Sequence, residues 1–433
     1  MNLSGFSIKH FVQNLRRSPA RIRRAVSSYK FYAYLAVLGP GIIAANAGND
    51  ASGIATYSSI GAGYGYTLLW AFIPMTFSLI IIQEMCVRMG VVTGQGLADL
   101  IREQFGVRWT ALVMLALFIA NTGVIISEFV GIAQASELFG ISRYITIPLT
   151  SVAIWWLVVK GTQKRIEQVF LAMSLVFFGY IISAFMSKPS WFEIGSEMVT
   201  PSFSFDSAYI YTVMALIGTT ITPFMQVYVQ SSVVEKGLTK EDYPLARADV
   251  IVGTIFALTI AAFIVISTAT TLHQQGITEL DSAATAAQAL VPVAGAYAQY
   301  LFAIGLFGAA MLAMGVLPLA TAYSLSEALG VEKGLSHSFR EAPIFLGIFT
   351  SLILIGAIVA LIPGIPQIKL LIFTQSINGL LLPFLLIAIV TLSSNADIMG
   401  DYKNSFLFKC FAWLMTIVLS ILSILLIVTT VFN

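Results

Sequence analysis

The sequence predicts an all-α polytopic membrane protein, and three observations carry that prediction. Of its 433 residues, 58% are hydrophobic and only 10% charged, with a mean hydropathy of +0.88, where soluble domains carry about 25% charged residues. Eleven apolar runs follow one another along the chain, and a helix needs about 20 such residues to cross a bilayer core. The basic residues are also sorted by side. With the N-terminus inside and the C-terminus outside, only Arg143, Lys188 and Lys369 of the 23 Lys and Arg fall outside, as the positive-inside rule requires.

Residues 1–32 form a basic segment (QNLRRSPARIRRAVSSYK) expected on the cytoplasmic side. It reads as a topology signal or as an anchor for anionic lipid. Residues 33–433 form the transmembrane domain. The first run, 33–60, holds Gly39, Gly41, Gly48 and Gly53 with Asp50 near its centre. The second, 66–88, ends with Glu84 and Arg88, four apart and so able to pair. The third, 109–136, carries Glu128, and 144–159 and 168–186 follow it. The sixth, 207–234, holds Gly218, Thr219, Thr220, Thr222 and Pro223. Runs 250–272 and 286–321 come next, the latter long enough to overshoot the bilayer or tilt. The last three are 342–363, 368–391 and 405–431. The loops with Glu193, Glu197, Asp206, Glu279 and Asp281 lie outside, where they either attract cations or are simply solvated. Arg247 and Asp249 are expected as surface or gate contacts in an inside loop.

Runs one and six share a property that the others lack. Pro removes a backbone donor and Gly weakens helix, so both break in mid-membrane. The carbonyls released there must face a cavity or ligand rather than lipid. These two runs are the first members of two consecutive sets of five. That placement points to a transport site between repeats covering about 33–186 and 207–391, with an extra helix at about 405–431.

Other functions are poorly served. Cys86 and Cys410 make no metal-binding or disulfide framework, and His10, His273 and His337 all lie outside the apolar runs. No nucleophile–base set or cofactor motif occurs, so neither an enzyme nor a cofactor is expected. A net charge of +2 gives no reason to expect nucleic acid. Nothing in the sequence fixes the oligomeric state.

From about Leu38 to Asn404 the chain resembles the Nramp family of divalent-metal transporters. The resemblance rests on GPG at 39–41, GYTLLW at 65–70, RMGVVTG at 88–94, Glu128, KRIE at 164–167, the Gly218–Pro223 break, the Ser231–Ser232 pair, LLLPF at 380–384 and DIMGDYKN at 397–404. It implies a LeuT-type fold with two inverted five-helix repeats plus an eleventh helix. It also implies metal import, which the family usually couples to protons.

Where the family has Asp-Pro-Gly-Asn in the first break, this sequence has Asp50-Ala51-Ser52-Gly53, so the Asp stays and the Asn becomes Gly53. The sixth-span Met-Pro-His is Thr222-Pro223-Phe224, and the later family His is Gln230. Of the third-span Asp and Glu, only Glu128 remains, with Ile125 at the Asp position. Losing a thioether shifts preference from soft ions toward Mg²⁺, Ca²⁺ and Mn²⁺. Mg²⁺ keeps several waters and needs only one or two carboxylates. The pattern resembles the Nramp-related magnesium transporters.

The expected ion-contacting residues are Asp50, Gly53, Thr219, Thr222, Gln375 and Asn378. The expected pathway or supporting residues are Asn49, Glu128, Phe224, Met225 and Gln230. Gly53 would supply a carbonyl or simply space. Thr219 and Thr222 share a face but could equally bond their own backbone. Gln375 and Asn378 share another face, toward the ion or a neighbouring helix. Asp50 could instead be a helix cap, Glu128 a partner for a helix dipole, and Met225 a packing residue unless its sulfur turns inward.

The expected function is uptake of partly hydrated Mg²⁺, with Mn²⁺ as second substrate, by alternating access at the plasma membrane without proton coupling. The rivals are a proton-coupled Mn²⁺/Fe²⁺ transporter, an amino-acid or organic-cation carrier, and a cation channel.

Overall fold

The computed structural model describes residues 39–160, 168–169, 178–291, 295, 298–334, 339–364 and 366–432. The basic segment 1–32, the start of the first run, KRIE at 164–167 and residues 170–177 of the run 168–186 lie outside the described residues. Every regular element among those described is helical. Among the described residues, eight helical segments, counting the broken 207–235 as one, are long and apolar enough to cross a membrane.

The first apolar run forms two helices, α1 (Pro40–Ala47) and α2 (Ala51–Tyr64). Pro40 at the first position suits α1, whose N-terminus would otherwise carry an unsatisfied donor there. Asp249 supplies the remaining cap: its carboxylate accepts from the Gly39 amide at 3.1 Å and the Gly41 amide at 2.7 Å. Asp249 is therefore a buried cap, not the surface or gate contact that its position in the sequence suggests. Then come α3 (Phe72–Thr93) and α4 (Leu97–Leu138). Helix α4 is longer than the run 109–136 because a bent arm precedes it. The bend is at Gly106, whose φ of 79° suits glycine.

Helices α5 (Arg143–Lys160), α6 (Phe178–Met186) and α7 (Trp191–Val199) follow. The sequence reading has no counterpart for α7, which is too short to span and carries Glu193 and Glu197. The sixth run forms α8 (Ser207–Thr220) and α9 (Pro223–Glu235), separated by Ile221 and Thr222. Helix α10 (Tyr243–Thr271) is continuous.

The long run 286–321 proves to be two things. A short helix, α11 (Ala283–Ala287), and a 3₁₀ turn precede a separate membrane helix, α12 (Ala298–Leu329). The overshoot expected from the run is thus taken up by a turn, and the span sits further along the chain. Helices α13 (Pro343–Ala360), α14 (Gln367–Ser394), α15 (Ala396–Met399) and α16 (Phe406–Phe432) complete the bundle.

Small residues let the broken helices approach their neighbours backbone to backbone. A Cβ placed on Gly41 would lie 2.7 Å from the Val250 Cα, and one on Gly253 would lie 2.6 Å from the Ile42 Cα, so α1 crosses α10 there. A Cβ on Gly218 would lie 1.9 Å from the Gln375 oxygen, and one on Gly379 would lie 2.7 Å from the Met214 oxygen. Helix α8 is thereby locked on α14 just before its own break. Both breaks sit at such crossings, in the buried centre of the bundle.

The end of the bundle where α3, α9 and α12 finish carries most of the basic residues described. It is held by buried charge. Arg88 pairs with Glu84 through contacts of 3.0 and 3.1 Å and donates to the Tyr402 carbonyl and the Asn404 side chain, both at 2.5 Å. Tyr243 donates a short hydrogen bond to Glu84. Nearby, buried Glu327 accepts from Ser231 Oγ at 2.7 Å and the Ala98 amide at 3.1 Å, and pairs with Lys333 at 3.3 Å. These contacts join α3, α10 and the α15–α16 connection in one group, and α4, α9 and α12 in another.

Candidate functional site

The two breaks face each other. Asp50 is the N-cap of α2, with Oδ1 accepting from the Gly53 amide at 2.5 Å. That bond satisfies one of the free amides that begin any helix. Its second oxygen, Oδ2, is buried without a hydrogen-bond partner. A carboxylate oxygen left unpaired in a membrane interior is costly unless a cation or donor meets it. Asp50 therefore both caps the helix and presents a free oxygen.

Gly53 stands between Asp50 and the other break. A Cβ built on it would come 2.5 Å from the Gly48 carbonyl oxygen, 3.0 Å from Thr219 Oγ1 and 3.2 Å from Asp50 Oδ1. The glycine does not widen the site here. It lets α2 close on α8 and brings Asp50 and Thr219 to one point. The Thr219 and Thr222 hydroxyls are both buried and without partners, whereas Thr220 donates to the Leu216 carbonyl at 2.6 Å. Tyr57, two turns beyond Asp50, meets the Thr220 hydroxyl at 3.3 Å.

Gln375 and Asn378 form a pair on α14, the Asn378 amide donating to Gln375 Oε1 at 3.0 Å. The pair leaves Asn378 Oδ1 without a partner, and the Gln375 side chain interacts with the Asp50 carboxylate outside ideal hydrogen-bond geometry. The Gly218–Gly379 crossing is what brings them there.

The supporting residues divide by task. Asn49 donates to the Ala257 carbonyl at 3.0 Å and so ties the break to α10. Both oxygens of Glu128 are engaged: Oε2 accepts from the Ala51 amide at 2.9 Å, and Oε1 from the Ser52 amide at 3.3 Å and hydroxyl at 2.9 Å. It sits on the N-terminus of α2, the arrangement that the helix dipole favours. Phe224 is fully buried packing. Gln230 lies further along α9, where its amide donates to the Gln95 carbonyl at 3.0 Å.

Met225 reaches into the first break. A Cβ on Gly48 would lie 1.9 Å from the Met225 Cε, and the Met225 sulfur accepts from Gln83 at 3.9 Å. Gln83, Tyr57, Asn46 and Gln226 are buried polar groups around the junction that the sequence reading passes over. A helical count from the breaks could have found three of them. Tyr57 is seven residues beyond Asp50, Asn46 four before it, and Gln226 four beyond Thr222.

Among the described residues there is no cluster of three or more His, Cys, Asp or Glu able to hold a metal. What stands at the junction instead is a carboxylate with Thr219 Oγ1 close by, while the Thr222 hydroxyl and Asn378 Oδ1 are buried and unpaired on the flanking segments. Such a set suits a hard cation that keeps part of its water.

Comparison with known proteins gives one consistent family. The model of the Natural resistance-associated macrophage protein-like (Nramp) family matches residues 41–429. A divalent metal cation transporter, MntH, of Deinococcus radiodurans is 26% identical over 419 residues, covering 93% of this chain and 92% of its own. A crystal structure of a manganese transporter of Eremococcus coleocola superposes with a TM-score of 0.71 at 19% identity, over 90% of this chain and 85% of that one. A nucleobase-cation-symport-1 family transporter, MHP1, crystallised in a closed conformation, shares the fold more distantly. Its TM-score is 0.55 at 13% identity, over 90% of this chain and 91% of that one.

Proposed function

Because the chain belongs to the Nramp family, and is thus an integral membrane transporter and not an enzyme, we propose that it takes up divalent cations, Mg²⁺ first and Mn²⁺ second. The single observation that carries this reading is the free Asp50 Oδ2 at the meeting point of two broken helices, with neutral oxygens around it. The ion would rest between Asp50, Thr219, Thr222 and Asn378 with part of its hydration shell kept. Gln375 would orient Asp50, and Gly53 would hold the two half-helices together.

Transport would proceed by alternating access between the repeats at about 33–186 and 207–391. The basic end of the bundle would face the cytoplasm across the plasma membrane. Arg88–Glu84 and Glu327–Lys333 would then hold that end closed. Proton coupling is not part of this reading, because Glu128 is fully engaged in capping α2. It is also not energetically required. A divalent ion moving inward through 100 mV gains about 4.6 kcal/mol, twice the single-charge value.

One observation favours a second reading. The Met225 side chain lies over Gly48 in the first break, so a modest turn would offer its sulfur to a softer ion, as a proton-coupled Mn²⁺/Fe²⁺ transporter would need.

Uptake into proteoliposomes tests both. Mg²⁺, Mn²⁺ and Cd²⁺ are compared while internal pH is followed, with Asp50→Ala as control. Mg²⁺ entry without acidification, lost in Asp50→Ala, supports the first reading. Mn²⁺ or Cd²⁺ entry with acidification and no Mg²⁺ entry overturns it.

A further inference from the structure

The buried amides near the junction share an orientation. Asn46 Nδ2 donates to the Ile42 carbonyl at 2.8 Å, Gln226 Nε2 to the Thr222 carbonyl at 3.4 Å, and Gln230 Nε2 to the Gln95 carbonyl at 3.0 Å. In each the NH₂ is fastened to backbone, and the oxygen (Asn46 Oδ1, Gln226 Oε1, Gln230 Oε1) is buried with no partner. All three residues are 0% exposed. With the NH₂ anchored by one bond to backbone, the amide is held with its oxygen turned away and both oxygen lone pairs unused. Three such unpaired buried oxygens offer lone pairs to a cation or to its water.

Their spacing adds direction. Asn46 lies four residues before Asp50 at the end of α1, and Gln226 four residues after Thr222 in α9. Gln226 is thus one helical turn, or about 6 Å, past its break, and Asn46 sits in the last turn of α1, two residues before Gly48. Helices α1 and α9 pack against each other, and each broken helix contributes one such amide next to its break. Gln230 continues the α9 face by another turn, reaching the connection between α3 and α4 at the basic end.

We propose that Asn46 and Gln226 form an inner way-station for the departing cation, with Gln230 as the next step. This rests on the reading of Asp50 as the ion-holding residue. Neutral oxygens suit a release path. They replace water one contact at a time, while a second carboxylate would hold the ion too tightly to let it go. On this path the ion leaves Asp50, exchanges water for the two amide oxygens, and passes to Gln230 as the Arg88 and Glu327 contacts open.

The test uses the full chain in proteoliposomes, with Mn²⁺ as the probe. Gln226→Met keeps the side-chain length and removes the oxygen, and Asn46→Leu does the same on the other helix. Each is expected to slow Mn²⁺ uptake about five- to tenfold, the kinetic equivalent of one lost hydrogen bond. Equilibrium Mn²⁺ binding, measured by calorimetry, should stay at the wild-type level. Gln226→Glu should do the reverse, tightening binding while slowing release. If one variant does not yield monodisperse protein, the other carries the test. Unchanged uptake in folded Gln226→Met and Asn46→Leu, beside normal wild-type flux, overturns the way-station alone. Loss of binding together with uptake also overturns it, since those residues would then belong to the Asp50 site. A wild type that moves no divalent ion overturns the reading of Asp50 as well.

Discussion

Glu128 and Ala51 are 77 positions apart in the chain, yet Glu128 Oε2 accepts the Ala51 amide at 2.9 Å. Its other oxygen takes the amide and hydroxyl of Ser52. With no water inside the membrane, the first amides of α2 need such a partner. The carboxylate also meets the positive end of the helix. Glu128 therefore sets the aim of α2, and with it the position of Asp50. Glu128→Gln keeps the shape but loses the charge, and should destabilise the protein by about 1–2 kcal/mol. A lower melting temperature in detergent together with slower uptake is the expected result. An unchanged melting temperature with proton movement selectively abolished would show that Glu128 carries protons instead.

The closeness of Gly53 to both Gly48 and Thr219 predicts the outcome at that position. A methyl group there meets a backbone oxygen at 2.5 Å, which cannot swing aside. Gly53→Ala should cost about 1–3 kcal/mol, the usual range for overpacking a tight core. It should also slow uptake. Gly53→Asn should be worse on both counts, even though it installs the residue that the family resemblance places there. Thermal unfolding combined with Cd²⁺ binding checks this. A stable Gly53→Asn protein with tighter Cd²⁺ binding would show that the junction can open to admit the longer side chain.

Met225 separates the two readings of the substrate. Met225→Leu conserves volume and should cost less than about 1.5 kcal/mol. If the ion meets only oxygens, Mg²⁺ uptake in this variant should stay at the wild-type level. Loss of Mn²⁺ and Cd²⁺ uptake in Met225→Leu would mean that the sulfur binds the ion, and would move the protein to the soft-metal reading.

What could be read from the sequence follows from how local each signal is. The breaks at 48–50 and 221–222 are legible because Gly and Pro interrupt an apolar run within a few residues. The Arg88–Glu84 pair is legible because i and i+4 meet on any helix. The caps are not, since Asp249 serves Gly41 and Glu327 serves Ala98 from more than 200 positions away. From the sequence, an acidic residue near a helix end looks like surface. Only the packing shows Asp249 buried against α1. The start of α12 is hidden for a different reason: residues 283–290 are apolar enough to read as part of one long helix, yet they form a short helix and a 3₁₀ turn at Gln288–Leu290. Gly53 reads as space because a missing side chain suggests a cavity, yet the backbones have closed on it.

Arg88 and Glu84 give the last prediction, because a buried ion pair behaves differently when one partner is removed than when both are. Both side chains are almost fully buried, and the network also includes Tyr243, Tyr402 and Asn404. Arg88→Met strands the Glu84 carboxylate with a tyrosine hydroxyl as its remaining partner, and should cost about 3–5 kcal/mol. Glu84→Gln strands the guanidinium in turn. The double variant Glu84→Gln/Arg88→Met leaves no unpaired charge and should recover much of that loss. The double-mutant cycle, read from thermal unfolding and uptake rate, should therefore be strongly non-additive. If the basic end is a gate, the double variant should be stable yet leak Mn²⁺ in both directions, because the contact between α3, α10 and the α15–α16 connection is gone. Additive losses, or a stable double variant with tight wild-type transport, would mean that the network serves only to hold the fold together.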